Sequence, residues 1–392
     1  MLTKSKTFSW VPRGPVDPMF KLKALADGDK SPSKVDLGAG VYRIENGQYH
    51  EFESIKRAKS RLQALNIGHD LASIQTVAGT GANRLGAAFL KKYFPSAEKS
   101  SQANTTKAFV GTPTWGNYEP LFTHAGIEVE KYRYYDRTSG LFDFDSTLTA
   151  AERAPEQSIF ILQGTCHNPT GMDPSREQWK CLADIMRQRH HFAFFDVAYQ
   201  GFGSQNADHG AQDVWAVRCF AELGIPMLVC QSFSKNMGLY SERTGALHVV
   251  CSDAAIASNV LDSLRSIARW EYSSAPAYGA LLANIILNDK EIYSAWGLEL
   301  AAASSRIYSL RRKLYHLLSV KYKSPGDWEN IISEQGLFSY LKLNEAQVTQ
   351  LVKEFRIYLP ENGRINVSGL NEDNLEKVAS SIDAVIRRIN IQ

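Results

Sequence analysis

Short apolar runs alternate with longer segments of helical periodicity through the middle of the chain, and this alternation limits the fold more than any other feature. The apolar runs are Lys107–Gly111, Ser158–Leu162, Phe192–Asp196 and Pro226–Ser232. Runs of this kind, bounded by glycine, proline or polar turns and separated by helices, are typical of buried parallel strands. Between two of them, Arg176–Arg189 has a helical pattern with Pro174 and Ser175 at its start. The pattern predicts an α/β fold built on a doubly wound, mostly parallel sheet.

The C-terminal part of the chain has a different pattern. A long helical segment, Ser304–Val320, precedes the strand-like stretch Gly336–Leu343, and a final amphipathic helix is expected to begin after Asn371. A chain of 392 residues is too long for one small core. We therefore expect an N-terminal arm over residues 1–12 and a large domain over residues 49–302. A smaller α+β domain would combine residues 13–48 and 303–392.

Composition and charge narrow the class of protein. Lysine and arginine number 44 and aspartate and glutamate 41, a net charge of +3, and no long basic run suggests nucleic acid or an anionic membrane as a partner. No window approaches 18 continuous apolar residues, so no membrane span is expected. The five cysteines lack CxxC or metal-ligand spacing, which favours reduced intracellular thiols and no metal site. The first residues do not form a secretory signal, and a cytoplasmic location is the default expectation.

One lysine follows an apolar run in a polar, hydroxyl-rich segment. Lys235 lies in Ser232-Phe233-Ser234-Lys235-Asn236, directly after a predicted strand. An amine held at a strand end, in a partly dry site, has a lowered pKa and can act as a nucleophile and a base. Ser232 adds a hydroxyl, and Arg243 adds a cation able to bind phosphate through two nitrogens. A lone lysine after a strand is usually a solvated surface residue, but the surrounding order of residues is far more specific.

Several motifs in one order carry a family resemblance. They are Ser232–Gly245, His167-Asn168-Pro169-Thr170-Gly171, Phe195–Phe202 and Gly363–Gly369. In these segments the chain resembles the class I (fold type I) aminotransferases, and within them the aspartate-aminotransferase subfamily, from about Gly14 to the C-terminus. The resemblance implies that the large domain binds pyridoxal 5'-phosphate. It also implies amino acid and 2-oxo acid substrates, and a homodimer with active sites at the subunit interface.

The resemblance assigns the catalytic centre to three residues. Lys235 would carry the cofactor, Asp196 would keep the pyridine nitrogen protonated so that the ring accepts electrons, and Tyr199 would donate a hydrogen bond to the ring phenolate oxygen. An isolated aspartate after a strand is more often a helix N-cap. The presence of Tyr199 three residues later favours the functional interpretation.

Further cofactor contacts follow from the same resemblance. Asn168 would touch the phenolate oxygen and the substrate carboxylate, although Asn before Pro is also common in turns. Gly79 and Thr80 precede the helical pattern Ala82–Tyr93, where backbone N–H groups can bind phosphate. Trp115 resembles the indole that stacks on the pyridine ring, with a core tryptophan as the alternative.

Substrate recognition is assigned mainly to two arginines. Arg364 resembles the arginine that grips the substrate α-carboxylate through its planar fork. Arg269 falls where the subfamily places an arginine, contributed by the neighbouring subunit, for a second carboxylate. Arg265 is the competing assignment, since it lies four residues earlier on the same helical face. Gly40 and Phe338 match substrate-site positions as well, and Phe338 could equally be a core residue.

The chain departs from the subfamily in three places. The stretch Asn66–Ala78 is shortened and lacks the tyrosine that reaches the partner subunit's cofactor phosphate, with His69-Asp70 as a possible remnant. Tyr118 and Gln163 replace two histidines that support the pyridinium aspartate. Groups behind the direct ligands set the orientation and basicity of those ligands. We therefore expect a weaker hold on the cofactor, or a substitute group, and altered electronics at the ring nitrogen.

The leading hypothesis is an aminotransferase that moves an amino group between an acidic amino acid and a 2-oxo acid. The altered residues around Asp196 also allow a specialised, non-transaminating pyridoxal-phosphate enzyme that performs β- or γ-chemistry, decarboxylation or carbon–carbon bond formation. A third hypothesis, a cofactor-free homologue that acts through binding, is disfavoured by the joint retention of Lys235, Asp196, Tyr199 and Arg243.

Overall fold

The computed structural model describes residue 8, residues 10–12, residue 28, and residues 70–94, 106–203 and 210–389. The strands are β1 Asp70–Val77, β2 Lys107–Thr112, β3 Glu128–Arg133, β4 Tyr135–Asp136, β5 Leu141–Phe142, β6 Ile159–Gln163, β7 Phe192–Val197, β8 Met227–Ser232, β9 Thr244–Cys251, β10 Phe338–Tyr340 and β11 Arg364–Asn366. The helices are α1 Ala78–Tyr93, α2 Tyr118–His124, α3 Phe144–Arg153, α4 Arg176–Gln188, α5 Trp215–Glu222, α6 Ala254–Glu271, α7 Ala277–Asn288, α8 Lys290–His316, α9 Asn330–Ser333, α10 Glu345–Phe355 and α11 Leu375–Ile389. A π-helical turn, Leu317–Lys321, continues α8.

Seven strands form one sheet in the order β1-β9-β8-β7-β6-β2-β3. Within this sheet, neighbouring strands pair in parallel along the series β3, β2, β6, β7 and β8. Strand β9 runs antiparallel to both β8 and β1. The mostly parallel sheet predicted from the sequence is therefore confirmed, with one reversed strand. Because β6, β7 and β8 are adjacent and point the same way, their carboxyl ends meet at one end of the sheet, where ligands bind in open α/β folds.

Helices cover both faces of this sheet. On one face α1 packs through Leu85 near Phe194 of β7. On the other face α4 and α5 pack through Trp179 and Phe220 against Phe195 of the same strand. Successive strand residues point to opposite faces, which explains why β7 reads as a continuous hydrophobic run. The doubly wound arrangement is confirmed.

A second hydrophobic core lies in the C-terminal part of the chain. Leu314 of α8, Leu351 of α10 and Ile382 of α11 are buried there, beside the antiparallel pair β10–β11. Helix α8 is continuous from Lys290 to His316, so the expected boundary between residues 302 and 303 falls inside this helix. The predicted contribution of residues 13–48 lies outside the described residues apart from Gly28.

The described residues of the predicted N-terminal arm pack on the large sheet. Phe8 is buried, with ring centroids 5.2 Å from Phe89 and 5.7 Å from Phe192. Val11 is buried in the same core, and the indole of Trp10 donates to the carbonyl of Tyr93.

Three predicted boundaries were wrong in detail. Helix α1 begins at Ala78, so Gly79 and Thr80 lie in its first turn rather than ahead of it. Only Phe338–Tyr340 of the predicted strand Gly336–Leu343 pairs with another strand. The final helix begins at Leu375, because Asn371 and Asn374 first exchange side-chain hydrogen bonds with each other's backbone.

Candidate active site

A cavity lies where the carboxyl ends of β6, β7 and β8 meet the amino end of α1. Most of the cofactor residues predicted from the sequence surround it. The lining residues are Ala78, Gly79, Thr80, Asn83, Trp115, Tyr118, Gln163, Asn168, Asp196, Ala198, Tyr199, Ser232, Ser234, Lys235, Tyr240 and Arg243. The topology therefore brings together side chains from five separate segments of the chain.

Lys235 lies in the turn after β8, half-buried in the cavity wall. Its Nζ is 4.9 Å from the centroid of the Tyr199 ring. Burial, and to a smaller extent Arg243, lowers the pKa of Lys235, while the charge of Asp196 raises it. The turn is anchored by Trp296, whose indole N–H donates to the carbonyl of Asn236 at 2.7 Å. A lowered pKa makes the neutral, nucleophilic form of the amine more available.

Asp196 is a residue of β7 and extends its carboxylate into the same cavity. The Tyr118 hydroxyl donates to Oδ2 at 2.7 Å. The other oxygen, Oδ1, is buried and has no hydrogen-bond partner among the described residues. Burial raises the pKa of Asp196, and the Tyr118 hydrogen bond and the Lys235 charge oppose this rise. Because a buried carboxylate oxygen is costly to leave unpaired, Oδ1 is suited to accept a hydrogen bond from an N–H or O–H group of a bound ligand.

The amino end of α1 forms a corner suited to an anion. The helix has no acidic residue in its first turn and no side-chain cap. Its first N–H groups are therefore available to an anion. A Cβ on Gly79 would lie 2.8 Å from the Cβ of Ser232, so only glycine permits this close approach. Ala78 N–H donates to the carbonyl of Arg243 at 2.8 Å, which places the Arg243 backbone beside the helix start. Arg243 lines the cavity, and its Nη1 donates to the Tyr240 carbonyl at 2.7 Å.

Arg364 reaches the site from β11. Its Nη1 donates to Oδ1 of Asn168 at 3.0 Å, and its guanidinium carbon lies 4.3 Å from the centre of the Phe338 ring. Its Nε is buried and has no hydrogen-bond partner among the described residues. The Asn168 amide in turn donates to the Tyr199 hydroxyl at 3.4 Å. Arg364, Asn168, Tyr199 and Phe338 thus contact one another in a continuous series.

Gln163 orients Asn168 and is not hydrogen-bonded to Asp196. The Gln163 amide accepts from the backbone N–H of Asn168 at 2.8 Å and donates to the Asn168 carbonyl at 3.0 Å. The described structure therefore shows no side-chain hydrogen bond through which Gln163 would alter the support of Asp196. The Tyr118 hydroxyl contacts Asp196 directly, and the Tyr118 ring also packs edge-on against Trp115 at 5.2 Å.

Arg269 lies outside this cavity, near the exposed C-terminal end of α6. Its Nη1 donates to the Ser273 hydroxyl at 2.5 Å. Arg265, the competing assignment, is also exposed and is paired with Asp262 at 3.3 Å. Gly40 and His69 lie outside the described residues. Asp70 begins β1, roughly 23 Å from Val77 at a rise of about 3.3 Å per residue.

Five cavity residues were not singled out from the sequence. They are Ala78, Asn83, Ala198, Ser234 and Tyr240. Asn83 is 1% exposed, and its amide donates to the Gly79 carbonyl at 2.9 Å while its Oδ1 has no hydrogen-bond partner in the described part of the chain. The signal was available, because a residue four positions after Gly79 shares its helical face.

Other binding chemistries find little support in the described ranges. Residues 70–94, 106–203 and 210–389 contain no cluster of three or more His, Cys, Asp or Glu side chains placed to hold a metal. In the same ranges no helix combines the length and apolar character needed to cross a bilayer. All five cysteines are free.

Comparison with known proteins decides the family. The sequence profile described as aminotransferase class I and II matches residues 48–382. The chain belongs to this family. It is 42% identical to the aminotransferase tasG of Hapsidospora irregularis, over 97% of this chain and 96% of that protein. It is 35% identical to a mitochondrial aspartate aminotransferase of Dictyostelium discoideum, over 98% of this chain and 94% of the relative.

A solved structure supports the same assignment. The aromatic-amino-acid aminotransferase of Burkholderia pseudomallei, covalently bound to pyridoxal phosphate, superposes with a TM-score of 0.77 at 33% identity. The superposition covers 97% of this chain and 99% of that one. The protein is a pyridoxal-phosphate-dependent aminotransferase of aspartate-aminotransferase type, and the non-transaminating alternative is not favoured.

The cavity fits this cofactor. The unpartnered Oδ1 of Asp196 can accept the N–H of a protonated pyridine ring. The corner formed by Gly79, Ser232 and Arg243 offers backbone donors, a hydroxyl and a guanidinium to a phosphate. The Lys235 amine lies between these two ends of the cavity wall.

Proposed function

We propose that this aminotransferase exchanges amino groups between an acidic amino acid and a 2-oxo acid, with Lys235 as the catalytic base. The observation that carries the proposal is the arrangement of three groups. A half-buried amine and a carboxylate with an open oxygen line one cavity, and the Arg364 guanidinium is hydrogen-bonded to Asn168 in the wall of that cavity. When bound, pyridoxal phosphate supplies an aldehyde that takes the amino group and a ring that accepts electrons from the substrate Cα.

Each residue of the site has a separate task in this proposal. Asp196 holds a proton on the ring nitrogen, and Tyr199 donates to the ring oxygen. Lys235 Nζ takes the proton from the substrate Cα and returns it to the cofactor carbon. Trp115 packs on the ring, while Gly79, Thr80, Ser232 and Arg243 bind the phosphate. Arg364 and Asn168 grip the α-carboxylate, with Phe338 as a wall, and Gly40 stays a prediction.

Recognition of a second carboxylate is assigned to Arg269 of a partner subunit. Arg269 does not line the cavity of its own chain, and the next residue, Trp270, is 62% exposed, as is Tyr278 on α7. Ile285 on α7 and Leu298 on α8 are exposed as well. Large exposed apolar side chains are typical of interaction surfaces. These features support a homodimer in which each subunit lends Arg269 to the other active site.

A substitution pair tests the substrate class. Arg269→Leu should lower kcat/KM for aspartate about 10- to 100-fold, because hydrogen bonds to charged groups contribute about 1.5–3 kcal/mol, and should spare substrates with an uncharged side chain. Arg265→Leu is the matched control, one helical turn away, and should leave the selectivity unchanged. Single-turnover conversion of the cofactor to its amine form by aspartate or glutamate is the primary readout. If neither amino acid converts it, the acidic-substrate proposal is wrong.

The position of the catalytic lysine is tested by chemistry. Borohydride reduction of the holoenzyme followed by peptide mapping should label Lys235 alone. Lys235→Arg should abolish the label while retaining the fold, measured by circular dichroism. A label on another lysine would refute the assignment.

The division of the chain into domains is a further part of the proposal. Two separate hydrophobic cores support a large domain over residues 49–302 and a small one that includes residues 303–392, with α8 shared between them. Limited proteolysis should release fragments that end outside α8.

We also propose a cytoplasmic location, although the Dictyostelium relative is named as mitochondrial. Imaging of a fluorescent C-terminal fusion tests it.

A further inference from the structure

Arg311 and Glu334 form an ion pair that is buried on both sides. The two side chains are 1% and 0% exposed, and Arg311 Nη1 lies 3.1 Å from Glu334 Oε2. Every other ion pair given for the described residues has at least one substantially exposed partner. A buried pair is costly to desolvate and contributes little net stability compared with apolar residues. The position of the Arg311–Glu334 pair in the fold therefore points to a role other than stabilisation.

The pair holds one segment of backbone in a fixed shape. Arg311 donates to the carbonyls of Ile331 at 3.1 Å, Gln335 at 3.2 Å and Gly336 at 2.9 Å, and also to that of Phe338. A guanidinium has five donors in a rigid fork, so one side chain can fix several carbonyls at once.

Glu334 binds the other side of the same segment. Its Oε1 accepts from the Asn330 amide at 2.9 Å and from the Tyr340 N–H at 3.1 Å, and its Oε2 accepts from the Ser339 hydroxyl. Arg311 and Glu334 together contact residues on both sides of Phe338. Strand β10, which contains Phe338, is thereby tied to helix α8.

Two parts of the active site rest on this segment. The Phe338 ring lies under the Arg364 guanidinium, and Tyr340 pairs with Arg364 across β10 and β11. The Gln335 N–H donates to the Gly171 carbonyl at 2.7 Å, in the turn that carries Asn168. Arg364 and Asn168 are hydrogen-bonded to each other. Phe338 alone thus separates Arg311 from Arg364, whereas the route from Arg311 to Asn168 passes through Gln335 and the Gly171 turn.

We propose that Arg311 and Glu334 are positioning residues for substrate carboxylate binding, acting through Phe338 and the Gly171 turn on Arg364 and Asn168. The inference rests on the proposed role of Arg364. It requires no contact between the pair and the cofactor, because the pair lies behind β10 in the second hydrophobic core and does not line the cavity. Carboxylate binding should therefore depend on the pair while cofactor binding should not.

Arg311→Lys and Glu334→Gln test this proposal in the holoenzyme. Lysine keeps the charge but cannot hold four carbonyls with the geometry of the fork, and glutamine keeps the shape but loses the charge. Small displacements remote from the chemistry can cost up to about 100-fold. We expect KM for both the amino acid and the oxo acid to rise on the order of 10- to 100-fold, with kcat reduced less. The dissociation constant for succinate, measured by calorimetry, should rise in parallel.

Controls separate a positioning role from simple destabilisation. Lys313 lies on α8, as Arg311 does, and forms an exposed ion pair with Glu372. Lys313→Gln removes this ion pair and should change neither KM nor succinate affinity. The absorbance spectrum and cofactor affinity should match wild type in all three variants. Thermal unfolding curves give the midpoint temperature of each variant. The kinetics are then compared only at temperatures well below all of these midpoints. Glu334→Gln serves as the informative variant if Arg311→Lys does not fold.

The outcomes decide between the proposals. A lower melting temperature with unchanged KM and succinate affinity would show that the pair is only structural. Loss of cofactor affinity alongside the rise in KM would also overturn the proposal. Arg364→Lys is measured in parallel: if it leaves succinate binding intact, the role of Arg364 itself is wrong. If it weakens binding while the Arg311 and Glu334 variants do not, only the inference drawn here fails.

Discussion

Tyr118 and Asp196, on α2 and β7, are joined by a 2.7 Å hydrogen bond that occupies one carboxylate oxygen and leaves the other open. Burial and the neighbouring carboxylate raise the pKa of the Tyr118 hydroxyl well above its usual range. The phenol therefore stays neutral and serves only as a donor. It stabilises the charged form of Asp196 without adding a positive charge to the site.

Tyr118→Phe should lower kcat. Loss of a hydrogen bond to a charged group costs about 1.5–3 kcal/mol, which corresponds to roughly tenfold or more in rate. Because the Tyr118 hydrogen bond lowers the pKa of Asp196, its removal should raise that pKa and move the acid limb of the kcat profile to higher pH. Tyr135→Phe is the control, since the buried Tyr135 hydroxyl has no hydrogen-bond partner among the described residues. An identical pH profile for Tyr118→Phe and wild type would contradict the role of Tyr118.

Cofactor capture by the apoenzyme should depend on pH through Lys235. Only the neutral amine attacks an aldehyde, and burial lowers the pKa of Lys235 from its ordinary value of 10.5. The second-order rate should therefore rise with pH, with a midpoint below pH 10.5. Asp196→Asn removes a charge that raises the pKa of Lys235, so it should move the midpoint to lower pH. Stopped-flow absorbance measures both curves, and a midpoint at or above pH 10.5 in the wild type would refute the lowered pKa.

Gly79→Ala should weaken cofactor binding. The added Cβ would lie 2.8 Å from the Cβ of Ser232, in the corner assigned to the phosphate. Overpacking of this kind costs about 1–3 kcal/mol, so we expect the dissociation constant to rise on the order of tenfold, measured by fluorescence titration. Gly369→Ala is the matched control, because a Cβ there meets no heavy atom within 4 Å. Equal affinity in the two variants would remove Gly79 from the phosphate site.

Asn83→Leu should separate stability from function. The buried Asn83 amide has an unpartnered oxygen within the described structure, and leaving such a group unsatisfied costs about 1–3 kcal/mol. Leucine is similar in size and should leave the apoenzyme as stable or more stable in urea. Asn83 also lowers the pKa of Asp196, so the variant should bind cofactor more weakly. A variant less stable and unchanged in cofactor affinity would mean that Asn83 is a core residue only.

The sequence predicted those parts of the site that depend on local order. Lys235 follows a strand and Asp196 lies on a continuous apolar run, so the local pattern places both at strand ends, while their roles were assigned through the resemblance of the surrounding motifs. Strand β9 was not predicted, because its start lies inside the Ser232–Gly245 motif and its pairing with β1 joins residues remote in sequence.

Contacts made across the fold were beyond sequence reasoning. Arg311 and Glu334 are separated by 23 positions and look like ordinary surface charges until α8 and the loop before β10 enclose them. The Tyr118 contact with Asp196 spans 78 positions. Its existence was anticipated only through the family pattern, and its hydrogen-bond geometry required the structure.

The hydrogen bond from Ala78 N–H to the Arg243 carbonyl joins the first residue of α1 to the residue that precedes β9. Both residues have left-handed backbone angles, with φ of 59° and 53°. Such angles persist in non-glycine residues only where the surroundings enforce them. The two halves of the phosphate corner are therefore completed only when β9 has inserted between β1 and β8. Return of yellow colour during refolding would consequently report that β9 has paired with β1 and β8, and a chain without this pairing would stay colourless.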